Sequence, residues 1–418
     1  MRLRPTARGW ALAVAGIAGM QLGVVLGSVD LVRIGTLALL LVVCAAIGVL
    51  LVDPARGRHR LGVTRTSSPN PVHAGSEAQI EVVIAATDPA ARVRLAGLKF
   101  AEQAATELSG GRPLRARVSR APRRVTVSYA VQAARRGRWP LGPLVVTRSD
   151  PFGVVRTSAT LGEQAEVAVW PAVVPLPTPG DVLVGEPDRV ALGARTPSTD
   201  DASLRDYREG DDLRRVHWSS SARRGALMVR SDERAGMRPV SVLLALPARA
   251  SSLEWSISLA ASMALAMLDG GHPVRLMGGT RAAAVQSSPY PLAFVHNRTG
   301  PGARNAVLDR TIDLEAPRTN AQGELDMVAA AHLLHTTDAA GEIVLAVIGP
   351  LGATARAALA HVADDAHAWA VVRAETPAHE AEAGETVQAL RRAGWRACLV
   401  TPGEPIVDCW LRLLGSAR

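Results

Sequence analysis

The sequence predicts a multidomain protein: an N-terminal transmembrane helical hairpin, then a β-sandwich-like domain, then an α/β Rossmann-like domain. Three observations carry this reading. Two long uncharged apolar segments stand near the start, short runs of alternating polarity follow, and the C-terminal part alternates between helix-like and strand-like segments. A chain of 418 residues is too long for one ordinary domain and suits two soluble domains with a smaller element attached.

The hairpin comes first. "WALAVAGIAGMQLGVVLG" (Trp10 to Gly27) and "IGTLALLLVVCAAIGVLLV" (Ile34 to Val52) carry no charge, and each is about long enough to cross the hydrocarbon of a bilayer. The connecting "SVDLVR" suffices for a tight turn, so residues 1–60 read as a membrane hairpin with spans at about 10–27 and 34–52. Arg2, Arg4 and Arg8 precede the first span and Arg56, Arg58, Arg60 and Arg65 follow the second, while the connection holds only Arg33. The positive-inside bias then predicts a two-span protein of the inner (cytoplasmic) membrane, with both termini and the soluble domains in the cytoplasm.

Residues 61–175 change character. "AQIEVVIAA", "ARVRLAGLKF", "RRVTVSYAVQA", "GPLVVTRSD" and "AEVAVWP" alternate with period two and are separated by Gly, Pro and Asp, which argues for an antiparallel sandwich. "RSDPFGVVR" (Arg148 to Arg156) reads as a sharp turn between strands, with Pro151 fixing its backbone and Gly153 permitting the bend. No cluster of His, Asp and Glu in this region suggests a metal. Aromatics are only 3% of a chain that is 48% hydrophobic, so its cores must close by aliphatic packing.

Residues 176–236 are a linker leading into a charged segment. "PLPTPGDVLVGEPDRVALGARTPSTD" lacks periodicity, and "YREGDDLRRVHWSSSARRGALMVRSDE" (Tyr207 to Glu233) then packs six arginines and five acids around one His and one Trp. Gly210 supplies a turn, Asp211 or Asp212 caps a short helix over "DLRRVHW", and Arg214, His217 and Trp218 share one face of it. Ser219 or Ser220 caps a second turn ended by Gly225, before "ALMVRSDE" resumes as a strand. Three readings compete: arginine–carboxylate pairing with Trp218 filling a seam, a docking surface for another protein, and a phosphate site on Arg205, Arg208, Arg214, Arg215 and Arg223. The phosphate reading lacks a GxxxxGK[ST] loop anywhere in the chain, and His217 beside serines is only adjacency in sequence.

Residues 237–418 alternate strand and helix. "RPVSVLLALP", "HPVRLMGG", "GEIVLAVIGP", "AHAWAVVRA" and "WRACLVTPG" are strands; "SLEWSISLAASMALAMLDGG", "ELDMVAAAHLLHTT", "ATARAALAHVAD" and "ETVQALRRAG" are helices. Such alternation calls for a mostly parallel sheet covered on both faces, with ligands at the strands' C-terminal ends. The first strand ends with Ala245 and Pro247 where a carboxylate for Mg²⁺ would stand, and Ser251 and Ser252 come too late. His332 and His335, three apart on a helix and near Asp338, are incidental rather than a metal site. No metal and no cofactor is expected.

The formal charge of +9 is spread along the chain and gathered partly beside the hairpin, and the only lysine is Lys99, so nucleic acid is not an expected partner. Cys44, Cys398 and Cys409 form neither a CxxC pair nor a disulfide framework.

The segment holding Tyr207, Arg208, Gly210, Asp211, Arg214, His217, Trp218, Ala222 and Arg223 resembles the "YxxGDxxRxxHWxxSAR" signature of the bacterial domain-of-unknown-function family fifty-eight. The hairpin and the "DPFG" turn fit the same family. The resemblance implies a C-terminal domain similar to von Willebrand factor A and no general enzymatic activity. It also implies a membrane-anchored cytoplasmic adaptor or assembly factor beside a MoxR-like AAA+ ATPase and, in many cases, a transglutaminase-like membrane protein. The DxSxS pattern of A-type domains is missing, since this chain reads "ALPARAS" from Ala245. The expected function is therefore a membrane-anchored interaction protein assisting assembly or maturation of other proteins. The rival is a hydrolase or phosphate-handling enzyme using Asp211, Arg214 and His217. Client, oligomeric state and the role of the signature, structural or docking, are open at this point.

Overall fold

A computed structural model of the protein describes residues 2–51, 61–87, 95, 98–112, 114–178, 204–206, 218, 221–222, 225, 228–230, 238–278, 294–296, 301–336 and 341–415. The chain forms two compact units, Met1–Ala172 and Val173–Arg418.

The first unit begins with strand β1 (Arg2–Pro5) and the helices α1 (Ala7–Val25) and α2 (Val29–Leu51). Inside a bilayer no hydrophobic force drives helices together, so close approach of small residues must do it. Gly9, Gly16 and Gly23, spaced by sevens, form the buried seam of α1. Gly35 of α2 fits against it so closely that a Cβ there would lie 2.6 Å from the Gly16 carbonyl oxygen. Both helices begin before the expected spans, and only residues 26–28 remain between them, with Gly27 at φ +67°. Asp30 and Arg33 belong to the start of α2, where they form an exposed 3.5 Å pair, because the end of a helix tolerates charge that its interior would not.

Two sheets make the sandwich. The first is β2 (Leu61–Ser68), β4 (Glu77–Ala86), β7 (Arg124–Gln132) and β6 (Ala116–Ala121), in the antiparallel order β2-β4-β7-β6. The second follows the order β1-β9-β8-β10-β3, from β9 (Val155–Leu161), β8 (Gly137–Ser149), β10 (Ala165–Trp170) and β3 (Val72–His73), while β5 (Lys99–Ala104) pairs with β8. The alternation works as expected: Ile80, Val82 and Val127 face inward with Leu144, Val146 and Val167 in one core. A one-turn helix, α3 (Thr106–Ser109), adds Leu108 to that core. Arg65 of β2 reaches Glu102 of β5 at 2.9 Å, both side chains 6% exposed, and ties one sheet to the other. Burial pushes the Glu102 carboxyl above its usual range, against the lowering effect of Arg65.

In the sequence β1 reads only as the charged flank of the first span. It is instead an edge strand, antiparallel to β9 with Arg4 opposite Arg156, and Pro5 closes it where no further ladder N–H is wanted. The "DPFG" turn follows β8. The Asp150 carboxylate accepts the backbone N–H of Phe152 (2.8 Å) and of Val155 (2.6 Å), and Gly153 takes φ +69°.

The second unit holds a five-stranded parallel sheet in the order β14-β13-β15-β16-β17. Its strands are β13 (Val240–Leu244), β14 (Val274–Gly278), β15 (Ile343–Ile348), β16 (His367–Arg373) and β17 (Arg396–Val400). α4 (Ala250–Asp269), α5 (Pro301–Ile312) and α9 (Ile406–Gly415) make their sheet contacts with β13, β14, β15, β16 and β17. α6 (Asn320–Thr336), α7 (Ala353–Asp365) and α8 (Glu380–Arg392) cover one face through Met327, Leu359 and Leu390. Neither α5 nor α9 is among the helices that the sequence predicts. Strands β11 (Leu204–Asp206) and β12 (Met228–Arg230) pair antiparallel and bracket the signature segment.

The two-span topology does not hold. Among the described residues three helices, not two, are long and apolar enough to cross a membrane: α1, α2 and also α4, whose apolar window is 83% buried within the protein. The reason is physical: a helix filling the core of an α/β sheet has the length and composition of a span. In α4 the buried hydroxyls of Ser256 and Ser262 are satisfied by the carbonyls four residues back, each at 2.7 Å. The cytoplasmic placement of the soluble regions, which rests on counting two spans, falls with that count.

The interior of this sheet carries an ionic cluster. Arg275 of β14 lies 3.0 Å from the Glu342 carboxylate, donates to Ser241 of β13 at 2.5 Å, and Ser241 in turn donates to Glu342. Burial raises the Glu342 carboxyl, while Ser241 and Arg275 act to lower it.

Two outcomes follow for protein in detergent. Gly35→Val should cost about 1–3 kcal/mol through overpacking of the seam, whereas Gly48→Ala, with nothing within 4 Å, should leave the melting temperature unchanged. Arg275→Ala should cost about 3–5 kcal/mol by stranding Glu342, and replacing both partners with Met and Leu should recover most of it in the same melt.

Candidate functional site

In a parallel sheet the crossovers bring the loops after the strands to one edge, and a crevice opens where strand order reverses. Here that point lies between β13 and β15, which send the chain to opposite sides. A pocket there is lined by Ala245 and Leu246 after β13, Gly349 after β15, Arg373 and Glu375 at the end of β16, and Glu324 of α6.

Arg373 organises it. As the last residue of β16 it is buried, and its guanidinium crosses to the first strand's exit, where Nη1 donates to the Ala245 carbonyl at 2.8 Å. Its Nε lies 3.4 Å from Glu375, whose own carbonyl accepts from Arg249 at 3.3 Å. Burial pulls the arginine down to about 10, with Glu375 working the other way, so it stays cationic at neutral pH. A Cβ on Gly349 would press to 3.3 Å from Nη2, so a glycine leaves room for the fork.

The surrounding loops are pinned individually. Glu324 accepts the Gly352 N–H at 2.8 Å at the start of α7, a favourable place for a carboxylate. Asn320 accepts the Ala248 N–H at 3.1 Å, and Thr386 accepts that of Leu351 at 3.1 Å. The His379 ring meets the Thr376 hydroxyl at 2.8 Å. The result is a rim around the buried Arg373 cation, with the Glu324 and Glu375 carboxylates engaged and Glu382 also lining the pocket. Among the described residues no group of three or more His, Cys, Asp or Glu could hold a metal.

Of the signature residues, Tyr207, Arg208, Gly210, Asp211, Arg214, His217 and Arg223 lie outside the described residues. Arg205 sits in β11, and Arg215, Asp212, Ser219 and Ser220 also lie outside the described set. Trp218 is helical and 66% exposed, Ala222 is exposed, Ser221 is buried, and Gly225 accepts the turn at φ +67°. His332 and His335 are exposed on α6, and Asp338 is outside the described residues. Burial pushes the Cys398 thiol up to about 12 and the Cys409 thiol up to about 11, which keeps both protonated and poor nucleophiles.

Arg373, Glu375 and Glu324 escape a reading of the sequence alone. The available signal is one arginine closing the apolar run "HAWAVV", where a strand's C-terminal end points at the crevice.

These features define a membrane-hairpin protein with a β-sandwich and a von Willebrand factor A-like α/β domain. Residues 203–282 match the family described as protein of unknown function DUF58, so the chain carries a DUF58-family domain. That family is associated in general with von Willebrand factor A-type domains and MoxR-type ATPases. No curated protein matches the chain. Among solved structures it is similar to a point mutant of the PilB minor pilin from Streptococcus sanguinis. There the identity is 10% and the TM-score 0.29, over 66% of this chain and 73% of that one.

Arg373→Ala should cost about 3–5 kcal/mol by leaving Glu375 buried without its partner. Arg373→Lys should recover only part of this in thermal melts, because an ammonium lacks the planar fork.

Proposed function

We propose that the protein is a membrane-anchored adaptor that works with a MoxR-type AAA+ ATPase in the assembly or maturation of other proteins. The observation that carries this reading is the strand-end rim. The place where an α/β fold usually presents its chemistry is held by the Arg373 guanidinium bonded to Ala245, and among the described residues it carries neither a nucleophile with its base nor a metal-ligand set. A preformed charged rim is suited to docking a partner. Trp218, an exposed aromatic inside the family segment, supports the same reading because tryptophan and arginine anchor interfaces. In this proposal the protein performs no catalytic step of its own.

The test is crosslinking followed by mild-detergent purification from native membranes, with and without ATP. An AAA+ ATPase should co-purify, and Trp218→Ala, in protein with an unchanged melting temperature, should weaken its recovery by at least about 30-fold, the effect of losing about 2 kcal/mol at an interface hot spot. Recovery of the protein alone in both conditions would sink the proposal.

A further inference from the structure

The "DPFG" turn contains one residue that the turn itself does not need. Asp150 holds two backbone N–H groups, Pro151 presets its dihedral and Gly153 adopts the left-handed conformation. Phe152 points away, 62% exposed.

The turn sits at the start of the first membrane helix. The Thr6 N–H donates to the Val154 carbonyl at 2.9 Å, and its hydroxyl donates to the Gly153 carbonyl at 2.6 Å. Val154 and Val155 pack with Ala45, Leu41 and Val42 of α2, so apolar packing runs unbroken from the hairpin into the turn. Trp10, in the first turn of α1, is 63% exposed. Exposed aromatics at this level match the belt that membrane proteins place at the headgroup boundary.

One rung above Pro5 and Val155, Arg4 and Arg156 stand directly opposite each other. Like charges in that position repel. Among the described residues no carboxylate pairs with either of them, and together they line a groove with Val145, Thr147 and Ser158. A rung rises about 3.4 Å, which keeps the groove within the roughly 5–8 Å headgroup layer beside α1.

We infer that this groove is a binding site for the phosphate of an anionic phospholipid. Arg4 and Arg156 share the phosphate, Thr147 and Ser158 supply hydroxyls, and Phe152 enters the acyl boundary below. The site is independent of the adaptor reading. It makes the sandwich a second membrane contact, held at the bilayer surface rather than swinging from the hairpin.

The test uses the full chain in phosphatidylcholine vesicles with and without phosphatidylglycerol. In a Cys44→Ser background, with Cys398 and Cys409 buried and protonated, a nitroxide on Phe152→Cys should collide with oxygen and be shielded from a nickel chelate. A label on Ser119→Cys of the exposed strand β6 should show the reverse. Arg4→Gln with Arg156→Gln should lose the phosphatidylglycerol that the unmodified protein retains through purification, and added inorganic phosphate should not displace that lipid from the unmodified protein. Equal chelate access at both labels, full retention of the lipid by the double variant, or its displacement by inorganic phosphate would each overturn the inference.

Discussion

The hydrogen bonds from Thr6 to the Gly153 and Val154 carbonyls are the joint on which the first unit depends. One residue ends an edge strand, caps a membrane helix through the Gly9 N–H, and receives the turn of another strand pair. Gly9 is needed because a side chain there would run into the Val154 carbonyl. Asp150 is needed because a turn offering two carbonyls outward must have its own N–H groups satisfied inward. The hairpin seam of Gly9, Gly16 and Gly23 then continues the same close approach through the apolar segment. A chain built this way positions its sandwich by backbone geometry, where a flexible linker would leave it free.

Both units also use buried charge to fix which elements meet. Arg65 and Glu102 join two sheets, Arg275 of β14 and Glu342 just before β15 meet across the strand β13 between them, and Arg373 ties the strand ends to Ala245. Such pairs add little net stability over an apolar core, but losing one partner is costly, so they penalise misregistered packing. At the strand ends this has a functional side: a protein-borne guanidinium stands where other α/β folds gather ligands.

Legibility in the sequence follows the length over which a physical signal extends. The two apolar helices and the alternating strands are readable because each pattern runs for many residues; their ends are not, since Asp30 and Arg33 are tolerated in the first turns of α2. β1 is hidden because "RLRP" carries the signal of a basic flank and shows its strand character only beside β9. The helix over Ala250–Asp269 is legible as a helix, yet nothing in its composition separates a buried core helix from a membrane span. α5 carries too weak an apolar stripe to declare itself, with only Ala303, Val307, Leu308, Ile312 and the polar Thr311 inside. For the site, the strand-end location follows from topology, but Arg373 does not, because its partner Ala245 lies 128 residues away and contributes only a carbonyl. The signature around Trp218 stands out by charge density, and that density alone does not distinguish a structural cluster from a docking surface.

Hydrogen–deuterium exchange on the intact protein in lipid, alone and with the proposed ATPase partner, reads most directly which surface a partner covers. Docking through the strand-end rim requires slowed exchange in residues 245–249, 349–352 and 373–379, together with the backbone around Trp218. Slowing confined to the sandwich, or no difference between the free and bound protein, would contradict it.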